Sequence, residues 1–358
     1  MNACRGCGKT DLTRVLDLGK VPASDHFPCV STPVTAEETS HALAMDLCGA
    51  CGLAQLADDD TVADEPRGVE PQALKDQAAA AVALVDGVGW LRGSTVLEFG
   101  SPHGGTWLPW LIDRGFTAVP SHADVVLDCF GIMHEPDQRR AFEERARQIR
   151  PGGVMLLQYH SLMTIVREGQ WNALRHGHFA YYSLTALTRL LAEVGLRVAT
   201  AWEFDLYGGT VLVAAVPEDV PGDAVVARIL NREDEFGIAD PAVVADLQHR
   251  ADLHVRNLRS WLQAHRSAGR TVFGYGAASR AVALFSRAGL DSRLVAAVAD
   301  ASPAKLGRRM PGTDIPIVSP DELLAANPGS VLLTVPDLLA EVRARYPELD
   351  GRWKVDGS

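Results

Sequence analysis

The stretch TVLEFGSPHGG at 95–105, with ADVVLDCF at 123–130 a short step beyond it, decides the fold. Its first residues are an apolar run that reads as a buried strand. Gly100, Gly104 and Gly105 supply the turn, and an amphipathic helix runs on to Arg114. A strand, a glycine turn and a helix open a Rossmann-like α/β unit, whose ligands bind at the carboxyl ends of the strands. Glu98, Gly100 and Gly104 are therefore candidate cofactor contacts, although a tight turn with no ligand explains the same glycines. The next unit is short. Only VPSH, 119–122, separates GFTA from ADVV, whereas a parallel crossover needs a dozen or more residues. A nucleotide site also wants an acid at the end of the second strand, near Pro120, and none lies between Asp113 and Asp124. A whole strand–helix–strand unit is expected to be missing, and with it the wall that would hold an adenine.

The pattern continues outward from there. Residues 57–75 read as an acidic, proline-bearing linker, and a helical stretch follows to Leu91. EPDQRRAFEERARQIR, 135–150, reads as a charged surface helix that Pro151-Gly152-Gly153 should end. GVMLLQY is a third strand. Residues 183–196 form a helix, with Ser183 as N-cap and Gly195 as stop. LRVATAWEF and GTVLVAAV close a Rossmann-like domain over 70–218 as an antiparallel pair. Over 240–268, Val244, Leu247, Ala251, Val255, Leu258 and Leu262 mark a long amphipathic helix. TVFGYG, a helix from Ala277, LVAAVAD, a helix near 319–326, VLLTV and a last helix to about Tyr346 make a second, smaller α/β set within 219–358.

The first 60 residues carry a different signal. CRGC at 4–7 and CGAC at 48–51 each place two thiolates on one knuckle. Together Cys4, Cys7, Cys48 and Cys51 complete a closed tetrahedral shell, the arrangement of a structural zinc ion. The 40 residues between the knuckles exceed the usual ribbon spacing. Cys29 and Cys129 have no partner at ligand spacing and read as ordinary thiols.

Bulk properties narrow the function. A chain of 358 residues is too long for one core and implies two or three domains. A formal charge of −11 argues against a nucleic-acid partner. The start, MNACRGCGK, has no apolar signal region, and the longest apolar run contains Asp86. No membrane partner and a cytoplasmic location are expected.

A second glycine loop, GYGAASR at 274–280, has Gly274 and Gly276 at fingerprint positions, with Ser279 in place of the third glycine and Asp300 at the end of the next strand. It reads three ways: a dinucleotide site, a surface facing a nucleotide-linked sugar, or scaffold. Tyr275 and Arg280 belong to the same candidate surface.

Several segments together resemble the zinc-binding, three-domain C-methyltransferases of deoxysugar pathways. LDLGKVPASDHFP and CGACGLAQL are similar to the family's zinc module. IMHEPD at 132–137 is similar to its HVPD turn, and WNALRHGHFAYYSL at 171–184 to its YHEH segment. LYGGTVLV, GYGAASR, VADASPAKLGRRMPGTDIPI and VLLTVPDLL resemble its C-terminal half. The resemblance implies a nucleotide-linked keto-sugar substrate and S-adenosylmethionine (SAM) as methyl donor. It also implies that His178, matching the last histidine of YHEH, removes the proton alpha to the ketone. The departures concentrate where SAM would sit. Pro102-His103-Gly104 replaces Asn-Asp-Gly, and the ribose acid and the units after it are missing. VADEPRGVEPQALKD replaces a tyrosine-rich segment, while Arg175 and Gly177 replace the tyrosine and glutamate of YHEH.

Deprotonation beside a ketone needs a base that titrates near the working pH and a donor for the enolate. His178 is the expected base. His134, His176 and Arg175 are candidates for substrate or enolate contact, and Tyr181 for substrate. A polar pair in a surface loop is the plain alternative for His176 and His178. As metal ligands those two lack a third partner at suggestive spacing. His103 and His122 read as turn residues. The leading expectation is an enzyme that removes a proton from a nucleotide-linked keto-sugar without SAM, giving isomerisation, epimerisation or elimination. SAM-dependent C-methylation through a remodelled pocket and a catalytically silent binding partner are the alternatives.

Overall fold

The computed structural model describes residues 3–61 and 70–357. Part of the 57–75 linker, residues 62–69, lies outside them. Fifteen strands form three sheets among the described residues. The first sheet holds β1 (Leu12–Val21), β2 (His41–Cys48), β3 (Ala54–Leu56) and, far along the chain, β8 (Ala180–Tyr181), in that order and antiparallel. The second holds β4 (Thr95–Phe99), β5 (Thr117–Ala118), β6 (Ala123–Cys129), β7 (Ile149–His160), β9 (Arg197–Phe204) and β10 (Thr210–Val216), in the order β5-β4-β6-β7-β10-β9. Its first four strands are parallel, and the last two close it as an antiparallel hairpin. The third sheet is parallel throughout, in the order β13-β12-β11-β14-β15, from β11 (Val272–Tyr275), β12 (Val298–Ala299), β13 (Ile317–Val318), β14 (Ser330–Leu333) and β15 (Trp353–Val355).

Helices α1 (Gln72–Gly87), α2 (Leu108–Ile112), α3 (Gln138–Arg147), α4 (Leu162–Arg167) and α5 (Leu184–Glu193) accompany the second sheet. From α6 (Ala224–Phe236) the chain passes through α7 (Pro241–Val244) into α8 (Asp246–Ser267), then α9 (Ser279–Arg287), α10 (Pro320–Ala326) and α11 (Leu339–Arg345). The caps follow the sequence: Ser183 Oγ accepts the Ala186 N–H at 3.1 Å, and Ser319 and Glu322 form a reciprocal capping box.

Three readings need correction. Pro151-Gly152-Gly153 does not end a helix but lies inside β7, where Gly153 packs against the Asp124 carbonyl too closely for a Cβ. The helix after the first glycine turn is only five residues, Leu108–Ile112. β4 is half-exposed rather than buried, since only Val96 is covered. The cause is the edge beside it: β5 is two exposed residues, so nothing shields that end of the sheet.

The cores tie the sheets together. One runs from the first sheet through Met163, Ile165 and Trp171 to α8, α9 and the third sheet. Two others cover opposite faces of the second sheet, and a fourth packs α10 and α11 against the third. Between β1 and β2 the chain reaches over to the third sheet, where buried Arg309 pairs with Glu38 and donates to the Thr32 carbonyl at 2.9 Å.

Candidate active site

The β1–β2 hairpin brings the two cysteine knuckles together, which accounts for their long separation in sequence. Cys4 and Cys51 sulfurs lie 3.5 Å apart and Cys7 and Cys48 sulfurs 3.6 Å apart. All four fall within 4.8 Å of one another. A tetrahedral zinc with Zn–S near 2.3 Å needs sulfur–sulfur spans of roughly 3.8 Å, so the set fits a structural ion. The hydrogen bond from Cys51 pulls the Cys4 thiol down to about 5, the same contact pushes Cys51 up, and burial pushes Cys7 up to about 11.

The module also shapes the histidine segment. β8 joins the first sheet beside β3, and the Gly177 N–H donates to Asp59 at 2.7 Å. Gly177 has φ 76°, a conformation open to glycine and strained for the glutamate of the related motif. This turn sends its two neighbours in opposite directions. His176 is buried, with Nδ1 3.3 Å from Ser24 Oγ and Nε2 3.2 Å from the Ala42 carbonyl. It faces the zinc module and not the cavity, which corrects its candidacy for catalysis. Burial lowers its pKa.

His178 points into a cavity of about 390 Å³ between the second and third sheets. His103 and His134 meet it there. His103 Nε2 lies 3.2 Å from His178 Nε2, and the His134 ring is 4.3 Å from that of His178. The Gly177 carbonyl accepts from His134 Nδ1 at 2.9 Å. The turn carrying His134 is fixed by Asp128, which accepts the Gly131 and Ile132 N–H groups at 2.8 and 2.9 Å and pairs with buried Arg145 at 2.6 Å. His103 is thus not merely a turn residue, and a third imidazole does stand beside His178. Arg175 Nε donates to His178 Nε2 at 2.7 Å. Burial first, then Arg175, His134 and His103, push the His178 pKa well below that of a free imidazole. The lone pair expected to act as base is capped in this state.

Other candidates are held by contacts within the fold, and of these Tyr181, Tyr275, Gly276 and Asp300 also line the cavity. Glu98 accepts from the Thr106 hydroxyl at 2.5 Å and the Trp107 N–H at 2.6 Å, which pins the glycine turn to α2, and burial raises its pKa. Neither Glu98 nor Gly100 lines the cavity, although Gly104 does. Tyr181 has its phenol between the Arg175 N–H, 3.1 Å away, and the Ala173 carbonyl, 3.3 Å away. In the second glycine loop Asp300 accepts the Ala277 and Ser302 N–H groups at 2.7 and 2.8 Å, so it braces the loop from inside. The phenol of Tyr275 lies 3.3 Å from that of Tyr346. Gly274 leaves room for Val298, whose Cγ2 would stand 2.9 Å from a Cβ, and Gly276 has φ 93°. Ser279 and Arg280 line the cavity, and Arg280 Nη2 reaches Asn172 at 3.3 Å.

The sequence reading missed Tyr159, His160, Tyr207, Lys305 and Arg345, which also line the cavity. Tyr207 has φ 56°, rare for a non-glycine residue, and its N–H donates to Asp337 at 2.9 Å. It directly precedes the Gly208-Gly209 pair, the one local signal that could have found it. Among the described residues no helix is long and apolar enough to cross a membrane.

The second sheet, parallel strands ending in an antiparallel hairpin, is that of a class I methyltransferase shortened at one edge. Comparison agrees. A zinc binding domain model matches residues 4–63, a methyltransferase domain model 79–201, and a C-methyltransferase C-terminal domain model 205–354. C-methyltransferase NovU of Streptomyces niveus is 25% identical over 99% of this chain and 95% of its own length. Over nearly its whole length the chain is similar to zinc-binding C-methyltransferases. Among solved structures, an O-methyltransferase family protein from Burkholderia thailandensis is 16% identical, with a TM-score of 0.32, over 40% of this chain and 57% of that one. A SAM-dependent methyltransferase from Thermotoga maritima is 14% identical, with a TM-score of 0.31, over 41% and 90%.

Proposed function

We propose that this protein enolises a nucleotide-linked keto-sugar at the histidine cluster without using SAM. The observation that carries the reading is the asymmetry of the cavity. Arg280, Lys305 and Arg345 line it with cations suited to a diphosphate, and the three imidazoles line it as well. On the side where adenosine would lie, β5 ends at Ala118, and 119–122 carry no carboxylate for a ribose. Both oxygens of Glu98 are engaged within the fold. An enolate formed there, with no methyl donor, is reprotonated or expels a beta substituent.

The test is solvent exchange. With a nucleotide-linked 4-keto-6-deoxyhexose in D2O, the enzyme should place deuterium alpha to the ketone, and His178→Ala should abolish uptake. No uptake by the intact protein would favour a silent binding partner. A second reading, SAM-dependent C-methylation, is favoured by the match of 79–201 to a methyltransferase domain and by the likeness to NovU.

A further inference from the structure

We propose that His103, His134 and His178 form a second metal site, which takes a divalent transition ion with its fourth position open to the cavity. One ligand nitrogen from each lies within 4.8 Å of the others. Zinc bound at 2.0–2.1 Å by two imidazoles in tetrahedral geometry separates their nitrogens by roughly 3.3 Å. His103 Nε2 and His178 Nε2 are 3.2 Å apart, a span that one shared ion would bridge. His134 is oriented by the Gly177 carbonyl on Nδ1 at 2.9 Å, the outer partner that ligating histidines commonly have. The three come from separate places: the loop after β4, the turn after β6 and the segment before β8. All three line the cavity, so three protein ligands would leave a position for water or substrate, as in catalytic rather than structural sites.

The four-cysteine set is closed and lies in a different part of the fold, so the two sites are chemically distinct. Arg175 opposes the ion, because its Nε occupies the His178 lone pair at 2.7 Å. It must release that nitrogen when the ion binds. The ion's role, though not its binding, rests on the enolising reading. A metal-held hydroxide accepts the alpha proton and becomes water, and the C–H electron pair moves into the enolate. His178 then serves as ligand, which accounts for a histidine whose lone pair is not open to substrate.

The experiment counts zinc by mass spectrometry in tag-free protein dialysed against micromolar zinc. Two equivalents per chain are expected, falling to one in His103→Ala with the thermal midpoint retained. One equivalent in the unmodified protein, or two in His103→Ala, would overturn the site. Arg175→Gln should tighten the second equivalent about tenfold by removing the competing cation. Unchanged or weaker binding there would overturn the placement of the ion on His178. Counting needs no substrate, so a failed deuterium test leaves the metal result standing, and a failed count leaves the enolising reading standing.

Discussion

Asp59 accepts the main-chain N–H of Gly177 at 2.7 Å, and so the zinc module holds the histidine segment across 118 residues of chain. β8 adds two residues of the same segment to the module's sheet. The module thus anchors the turn from which His178 points into the cavity.

Loosening that link should therefore reach the active site. Asp59→Ala removes a charge-assisted hydrogen bond worth about 1.5–3 kcal/mol. Urea unfolding should show that loss, and deuterium uptake should fall more steeply than stability. Stripping zinc with a thiol-specific chelator should lower both together. A variant that loses stability at full activity would mean that the module does not position His178.

The Arg145–Asp128 pair makes a second, independent test. Both residues are buried, and Asp128 also caps the turn that carries His134. Arg145→Met strands a buried carboxylate and should cost about 3–5 kcal/mol. Chemical denaturation measures it. A loss below about 1 kcal/mol would show that the pair contributes little.

The fold of the middle and C-terminal parts was legible because its signals are local. Apolar runs bounded by glycine turns gave β4, β6, β7 and β11, and Ser183 gave the start of α5. The histidine cluster was not legible. His103, His134 and His178 are joined only by packing, and no periodicity links a loop at 103 to a turn at 134. The choice between His176 and His178 hangs on the backbone of Gly177, which spacing does not reveal. Glu98 read equally as a ligand contact and as a carboxylate paired within the fold, and the folded chain uses it to fasten its glycine turn. Asp300 fastens the second glycine loop and also lines the cavity.

His160 predicts a pH effect. Burial, then Arg280 and Arg175, push its pKa down to about 3, against about 6.5 in an unfolded chain. As pH falls below 6.5 the unfolded chain takes a proton that the folded one refuses. Its stabilising share is therefore full above 6.5 and is lost on the way down towards 3. By pH 5 this amounts to at most about 2 kcal/mol, since part of the ring faces the cavity. Thermal midpoints at pH 7.5 and 5 should differ less in His160→Asn than in the unmodified protein. An equal difference would contradict the account.

The cationic end of the cavity can be probed with thymidine diphosphate. Arg280 is largely buried, its Nε has no hydrogen-bond partner among the described residues, and burial lowers its pKa. Arg280→Met should raise the Kd for the diphosphate about tenfold, equivalent to about 1.4 kcal/mol. Fluorescence titration reads it. Unchanged affinity would move the diphosphate away from the second glycine loop.

The central claim is that the shortened edge of the second sheet leaves SAM without a seat. Isothermal titration of the zinc-replete protein with SAM tests it most directly. No saturable heat is predicted up to millimolar SAM. A micromolar Kd, weakened by Glu98→Ala, would contradict the account and favour SAM-dependent methyl transfer.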